Sequence, residues 1–241
     1  MVELNALPPT KIQVIDGFSF KLEVDATGFH AYERQGLVEN VKVPKKVSYH
    51  SLKQSIHNPA ASAQYGCLET PDLRFFGRSE QLHLALRGIW HFQKEHGRLP
   101  GESDTPHILE AVKAINEQAK TSDGLSVDID EKVVHNAAAY SRSCISPMAA
   151  FFGGVVAQEI VKYTGKYSPL KQWLHYDIFE TLPRGPADRT PMNCRYDDQI
   201  IVYGREVQEK LTKINTFMIG AGALGCEYVK AFALMGVGCS A

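Results

Sequence analysis

Six residues near the C-terminal end, Gly220-Ala221-Gly222-Ala223-Leu224-Gly225, carry the spacing G-x-G-x-x-G. An apolar stretch, 214–219, precedes them, and 226–235 follows with helical period. A strand, a glycine turn and a helix in that order form the context in which this spacing binds nucleotides. Gly220 permits the tight turn, Gly222 lets phosphate or ribose approach the main chain, and Gly225 lets helix and strand pack closely. The helix start adds roughly half a positive charge and free N–H groups aimed at an anion. A nicotinamide or flavin dinucleotide would also fit such a loop. It would need an acidic residue about 20 positions further on to hold a ribose hydroxyl, and the chain ends at Ala241.

Other chemistry-bearing residues form no second constellation. The five cysteines, Cys67, Cys144, Cys194, Cys226 and Cys239, are odd in number and contain no C-x-x-C pair. That excludes a disulfide framework and a cysteine zinc site, and each reads as a small buried residue, Cys226 on the first turn of the last helix. The nine histidines show no ligand spacing, since His91 and His96 stand five apart, more than one helical turn. No metal is assigned to these residues, and no catalytic side chain. With 26 basic against 27 acidic residues and a net charge of −1, nothing favours nucleic acid or a membrane surface as partner. No apolar run reaches the roughly 20 residues of a bilayer span, and the start of the chain does not have the pattern of a signal peptide. A soluble, intracellular protein is expected.

The elements that must position the glycine loop can be read from periodicity. Short strands are expected over 11–15, 18–24 and 38–43, with Asp16-Gly17 as a turn; Phe18, Phe20, Leu22 and Val24 alternate with polar residues as if one face met a core. Three amphipathic helices follow. Ser79 would cap one that stops near Gly97, Thr105-Pro106 would open the next, and Asp128 with Glu131 makes a capping-box pattern before the third. A fourth over 51–63 would complete a small antiparallel bundle. Ser146-Pro147 starts a more apolar helix whose Gly153-Gly154 pair suggests close packing on a sheet, since each glycine costs about 1 kcal/mol in a helix. A strand over 173–179 and a Pro/Gly-rich linker over 184–190 come next. The expected fold class is multi-domain, α+β and α/β.

Several blocks together resemble the ubiquitin-activating enzyme family, which opens the ubiquitin conjugation cascade. They are V-P-K-K-V at 43–47, Q-L-H-L-A at 81–85, A-A-F-F-G-G-V-V-A-Q-E-I at 149–160, S-P-L-K-Q at 168–172, R-Y-D-D-Q at 195–199 and G-A-G-A-L-G-C-E at 220–227, in the family's order. The resemblance implies an internal piece of such an enzyme. Residues 1–43 would be the C-terminal part of a β-rich first catalytic-cysteine half-domain, and 44–145 a four-helix bundle. Residues 146–190 would be the C-terminal part of an inactive, Rossmann-like adenylation domain, and 191–241 the start of the active one, truncated.

It also implies the chemistry. The ubiquitin C-terminal carboxylate attacks the α-phosphate of MgATP, pyrophosphate leaves, and a cysteine takes the acyl group as a thioester. The backbones of Gly220, Ala221, Gly222, Ala223 and Gly225 would lie against the nucleotide. In the related bacterial enzymes, R-Y-S-R-Q lends its second arginine to a partner's site; Asp198 stands there in this sequence, so the arginine must come from the inactive half. The thioester cysteine, the ribose-binding acid, the phosphate-site arginine and lysine and the magnesium-binding aspartate would all fall beyond Ala241. Ubiquitin and ubiquitin-conjugating enzymes are the implied partners of the intact enzyme, a monomer with an internal pseudo-dimer in cytoplasm and nucleus. The alternatives are a dinucleotide-binding oxidoreductase fragment and a non-catalytic subunit of an activating enzyme for a ubiquitin-like protein.

Overall fold

A computed structural model of the chain describes residues 2–33, 36, 38–41, 46–62, 68, 72–165 and 167–239. Two units can be distinguished, Met1–Lys46 and Val47–Ala241. In the first, β1 (Ile12–Val14) pairs antiparallel with β2 (Phe20–Leu22), Ile12 opposite Leu22. The turn between them is tied by the Asp16 carboxylate, which accepts from the Phe18 amide at 2.8 Å. The hairpin is where the sequence puts it, but its alternating face is not buried: Phe18 is fully exposed and Phe20 is 41% exposed. No other strand covers this ribbon among the described residues. The stretch 38–41 is irregular, and the rest of the strand expected over 38–43 lies outside the described residues.

The second unit is mostly helical, and its core is a helix bundle. Helix α1 (Leu52–His57) is six residues long, opened by a capping box in which Ser51 Oγ accepts from the Gln54 amide. Pro59 lacks an N–H and disfavours a helical residue before it, so the chain tightens into a 3-10 turn, Pro59–Ser62, instead of the longer helix expected. Ala63 and Cys67 lie outside the described residues. Helices α2 (Arg78–His96), α3 (Thr105–Lys120) and α4 (Glu131–Ala139) pack in all three pairings around Leu84, Ile89, Phe92, Ile108, Val112, Val134 and Ala138.

Their ends differ from expectation in instructive ways. The N-cap of α2 is Gly77, at φ +84°, while Ser79 is buried inside the first turn; Gly97 closes the helix in the left-handed conformation as read. Thr105 is the first residue of α3 rather than its cap, and its hydroxyl donates to the Glu102 carbonyl at 2.9 Å. Asp130, not Asp128, caps α4, because its carboxylate accepts from the Lys132 and Val133 amides. Two side-chain amides hold the α3–α4 connection. Asn116 exchanges two hydrogen bonds with Val127, at 2.8 and 3.0 Å, and Gln81 bonds Asp128 O and the Asp130 amide at 2.6 and 2.9 Å.

Helix α5 (Ser146–Lys162) has Pro at its start as expected. No sheet lies against it among the described residues: a Cβ at Gly153 or Gly154 would meet nothing within 4 Å, and Val156 and Ile160 are exposed. The strand expected over 173–179 is an extended segment with a single bridge residue, Leu174, running into a 3-10 turn, Phe179–Thr181. Arg78 anchors it, its guanidinium reaching Asp177 at 3.2 Å and Glu180 at 2.9 Å. The linker over 184–190 is irregular. Helices α6 (Asp197–Tyr203), α7 (Arg205–Thr212) and α8 (Ala223–Met235) follow.

The tightest approach in the bundle is at Gly88 on α2, where a Cβ would stand 2.6 Å from Val112 Cγ2 and 3.3 Å from Ile108 Cγ2. Val112 is fully buried and β-branched, so it has nowhere to turn. Gly88→Ala gains about 1 kcal/mol of helix propensity, but forcing a methyl into this contact costs about 1–3 kcal/mol. Net destabilisation is expected in urea unfolding, and an unchanged or raised midpoint would contradict this account of the α2–α3 contact.

Candidate functional site

The apolar stretch 214–219 is irregular and unpaired among the described residues, so it is not the strand expected there. A strand needs a ladder, and a parallel one needs neighbours from elsewhere in a sheet. Ile219 and Phe217 are nearly fully exposed in consequence.

The turn that follows has the division of labour expected of its glycines. Gly220 sits at φ +91°, a conformation side chains rarely adopt, and lets the chain reverse. Gly225 is buried on the first turn of α8, where a Cβ would stand 2.4 Å from the Gly220 carbonyl oxygen. That contact is with backbone, so only glycine lets the helix sit directly on the turn. Gly222 is the N-cap of α8, with an extended backbone and open space where a Cβ would be.

Ala221, Gly222, Ala223 and Leu224 are all exposed. No side chain caps α8, and its first turn holds no acidic residue. The exposed amide positions at Ala223 and Leu224 therefore face solvent with the dipole's positive end behind them, while Gly225 is buried against the turn. Cys226 closes the turn through its amide, which donates to Gly222 O at 2.9 Å. Its thiol is exposed and reaches Ala221 O at 3.4 Å rather than packing in a core. Cys144, Cys194 and Cys239 are exposed as well, contrary to the buried reading.

The opposite end of α8 explains the R-Y-D-D-Q block. Gln199, on α6, and Gln208, on α7, are both buried and joined at 2.5 Å. Each donates an amide hydrogen to Met235 O, at 3.0 and 3.1 Å. This is one of the carbonyls a helix C-terminus leaves without an internal partner. Arg195 donates to Ala233 O on the same turn. Tyr196 packs where Gly236 turns, at φ +75°, and a Cβ there would come 2.7 Å from the phenol ring. Asp197 ties the preceding loop, accepting from the Met192 amide at 2.8 Å, a bond that holds its carboxyl below the usual range. The block thus grips the carbonyl end of α8 and leaves its amide end bare. Gln208 went unread in the sequence; the two Gln on consecutive short helices were the available signal.

The described residues contain no cluster of three or more His, Cys, Asp or Glu able to hold a metal, and no helix long and apolar enough to cross a membrane.

Comparison with known proteins agrees with this arrangement. Residues 196–239, which hold the block except Arg195, the turn and α8, match the ThiF family, and that defines the class of this part of the chain. Residues 1–42 match the ubiquitin-activating enzyme E1 FCCH domain, and 43–119 the ubiquitin-activating enzyme E1 four-helix bundle. The chain is 40% identical over 245 residues to ubiquitin-activating enzyme E1 1 of Triticum aestivum, covering all of this chain and 23% of that protein. It is 39% identical to ubiquitin-activating enzyme E1 2 of Arabidopsis thaliana, over 99% of this chain and 22% of that protein. Against ubiquitin-like modifier-activating enzyme 1 of Homo sapiens the identity is 37%, over 99% of this chain and 23% of that protein. The chain belongs to the ubiquitin-activating enzyme E1 family and spans less than a quarter of the length of these relatives.

Removing the grip at Met235 should loosen α8 without touching the glycine turn. Gln208→Leu leaves Gln199 with one partner fewer in a buried place, a loss of about 1–3 kcal/mol. The expected result is faster amide exchange across α8 with the α2–α4 bundle unchanged. Equal exchange in both chains would show that the glutamine pair does not hold the helix.

Proposed function

We propose that this chain supplies the nucleotide-receiving turn of a ubiquitin-activating enzyme. The parent enzyme adenylates the ubiquitin C-terminus with MgATP and passes it to a cysteine as a thioester. The supporting observation is the bare amide end of α8 behind Gly220 and Gly222, inside a stretch that matches the ThiF family. The backbones of Gly220, Ala221, Gly222, Ala223 and Gly225 are the groups assigned to the adenosine and phosphates, because main-chain N–H donors and a helix dipole suit a polyphosphate. Catalysis by such a site rests on positioning and on charge stabilisation around the α-phosphate.

On this reading residues 1–43 are part of a catalytic-cysteine half-domain, 44–145 the bundle, 146–190 the end of a Rossmann-like inactive adenylation domain and 191–241 the start of the active one. The exposed apolar residues of 214–219, α5 and α8 are then faces that the remaining sheet of those domains covers. Magnesium, ubiquitin and ubiquitin-conjugating enzymes are assigned to the parent, working in cytoplasm and nucleus. Among the described residues no side chain at the turn is placed to neutralise a transferring phosphate, so the chain alone is assigned no adenylation activity. With ubiquitin, it should give ATP–pyrophosphate exchange at background level.

The decisive test separates folding from binding. Gly222 has a φ of −73° and open space for a Cβ, so Gly222→Ala should leave stability within about 0.5 kcal/mol. The methyl occupies the room a phosphate needs beside the amides. In a full-length enzyme carrying this segment, ATP–pyrophosphate exchange should fall by about tenfold or more, the scale of losing a positioned backbone donor. Undiminished exchange would remove the turn from the nucleotide site.

A further inference from the structure

Away from the glycine turn, two histidines meet in the core of the second unit. His83 on α2 and His175 on the 173–178 segment are 0% and 5% exposed, and His83 Nδ1 lies 3.2 Å from His175 Nε2. The other nitrogen of His83, Nε2, is 2.8 Å from the Ile56 carbonyl at the end of α1. A carbonyl only accepts, so His83 carries its hydrogen on Nε2 and presents a lone pair at Nδ1. His175 must then donate from Nε2, which leaves its Nδ1 as a bare acceptor. That Nδ1 is buried without a partner, and so is the Trp173 indole N–H two residues earlier. Trp173 stacks on His175, with ring centroids 5.8 Å apart, and His83 meets the Trp173 ring edgewise at 5.0 Å.

We propose that the His83–His175 contact is an acid-sensitive latch, which holds the 173–178 segment on α1 and α2 at neutral pH and lets it go when the pair takes up protons.

The geometry leaves no good place for an added proton. On His175 Nδ1 it becomes a buried donor with nothing to accept it. On His83 Nδ1 it faces the hydrogen already on His175 Nε2, and relieving that clash moves a hydrogen to the same orphaned Nδ1. A second added proton sets two N–H groups against each other. Among the described residues the charged group acting on the pair is Arg87, on α2, and its charge opposes protonation. From α1 the Ile56 carbonyl meets the pair, and the His57 ring is turned to Ser122. On the segment itself, Asp177 is engaged by Arg78. Among the described residues no carboxylate acts on the pair to stabilise an imidazolium.

Burial and the neighbouring ring push His175 down to about 4 from its ordinary 6.5, and burial also lowers His83. The open form binds protons that the closed form refuses, so closure is full above about 6.5 and is lost as pH falls toward 4. Opening also hydrates the Trp173 N–H and His175 Nδ1, the two orphaned atoms.

Trp173 is its own reporter once Trp90 is replaced by Phe. In the Trp90→Phe chain, acidification from pH 7 to 4 should raise the acrylamide quenching constant of Trp173 several-fold and shift its emission to the red. Gln at either position keeps an amide N–H and a carbonyl but does not titrate in this range. His175→Gln and, separately, His83→Gln in that background should abolish the transition or move its midpoint by at least about one pH unit. A transition at the parental midpoint in both variants overturns the latch, whether or not helicity falls with it. So does the absence of any change in Trp173 between pH 7 and 4 in the Trp90→Phe chain.

Discussion

A helix whose leading amides are to receive an anion must be fixed by its other end, because any protein group that satisfied those amides would occupy the ligand's place. Met235 O is where α8 meets this constraint. Two buried glutamines from consecutive helices converge on that carbonyl, and Arg195 takes that of Ala233 on the same turn. Buried amides that find both partners are rigid and specific, and costly to disturb. At the amide end Gly225 sits against the Gly220 carbonyl, with the Met218 sulfur beside it and the Cys226 thiol reaching Ala221 O. The arrangement is asymmetric by construction.

The same economy of contact runs through the bundle that precedes it. Gly88 lets α2 and α3 approach to within methyl contact, and Asn116 and Gln81 pin the α3–α4 connection by paired main-chain bonds. The 173–178 segment is held differently, by Arg78 at one end and by a histidine pair at the other. A charged clamp and a neutral one share a short stretch that joins no sheet among the described residues. In sequence that stretch lies between the bundle and the helices flanking the glycine turn, so its attachment bears on how the two are joined.

Much of this was legible in the residues. Hydrophobic period located the long helices, and Gly97, Pro106 and Pro147 marked ends and starts because their backbone preferences are local. Gly220, Gly222 and Gly225 announced a turn with three separate duties for the same reason. Caps were less legible: Asp128 and Asp130 are both plausible, and the choice depends on where Gln81 holds the loop. Strands were the least legible. Residues 173–179 and 214–219 have strand composition, yet a strand exists only through partners, and none pairs with them among the described residues. The histidine pair had no signature either, since His83 and His175 stand 92 positions apart in sequence.

The amide end of α8 is proposed to receive ATP rather than another nucleotide. Calorimetric titration of a full-length enzyme carrying this segment with MgATP, and separately with nicotinamide adenine dinucleotide, addresses it directly. The account requires saturable binding of MgATP and none of the dinucleotide at comparable concentration. Tight binding of the dinucleotide with no heat from MgATP would contradict it.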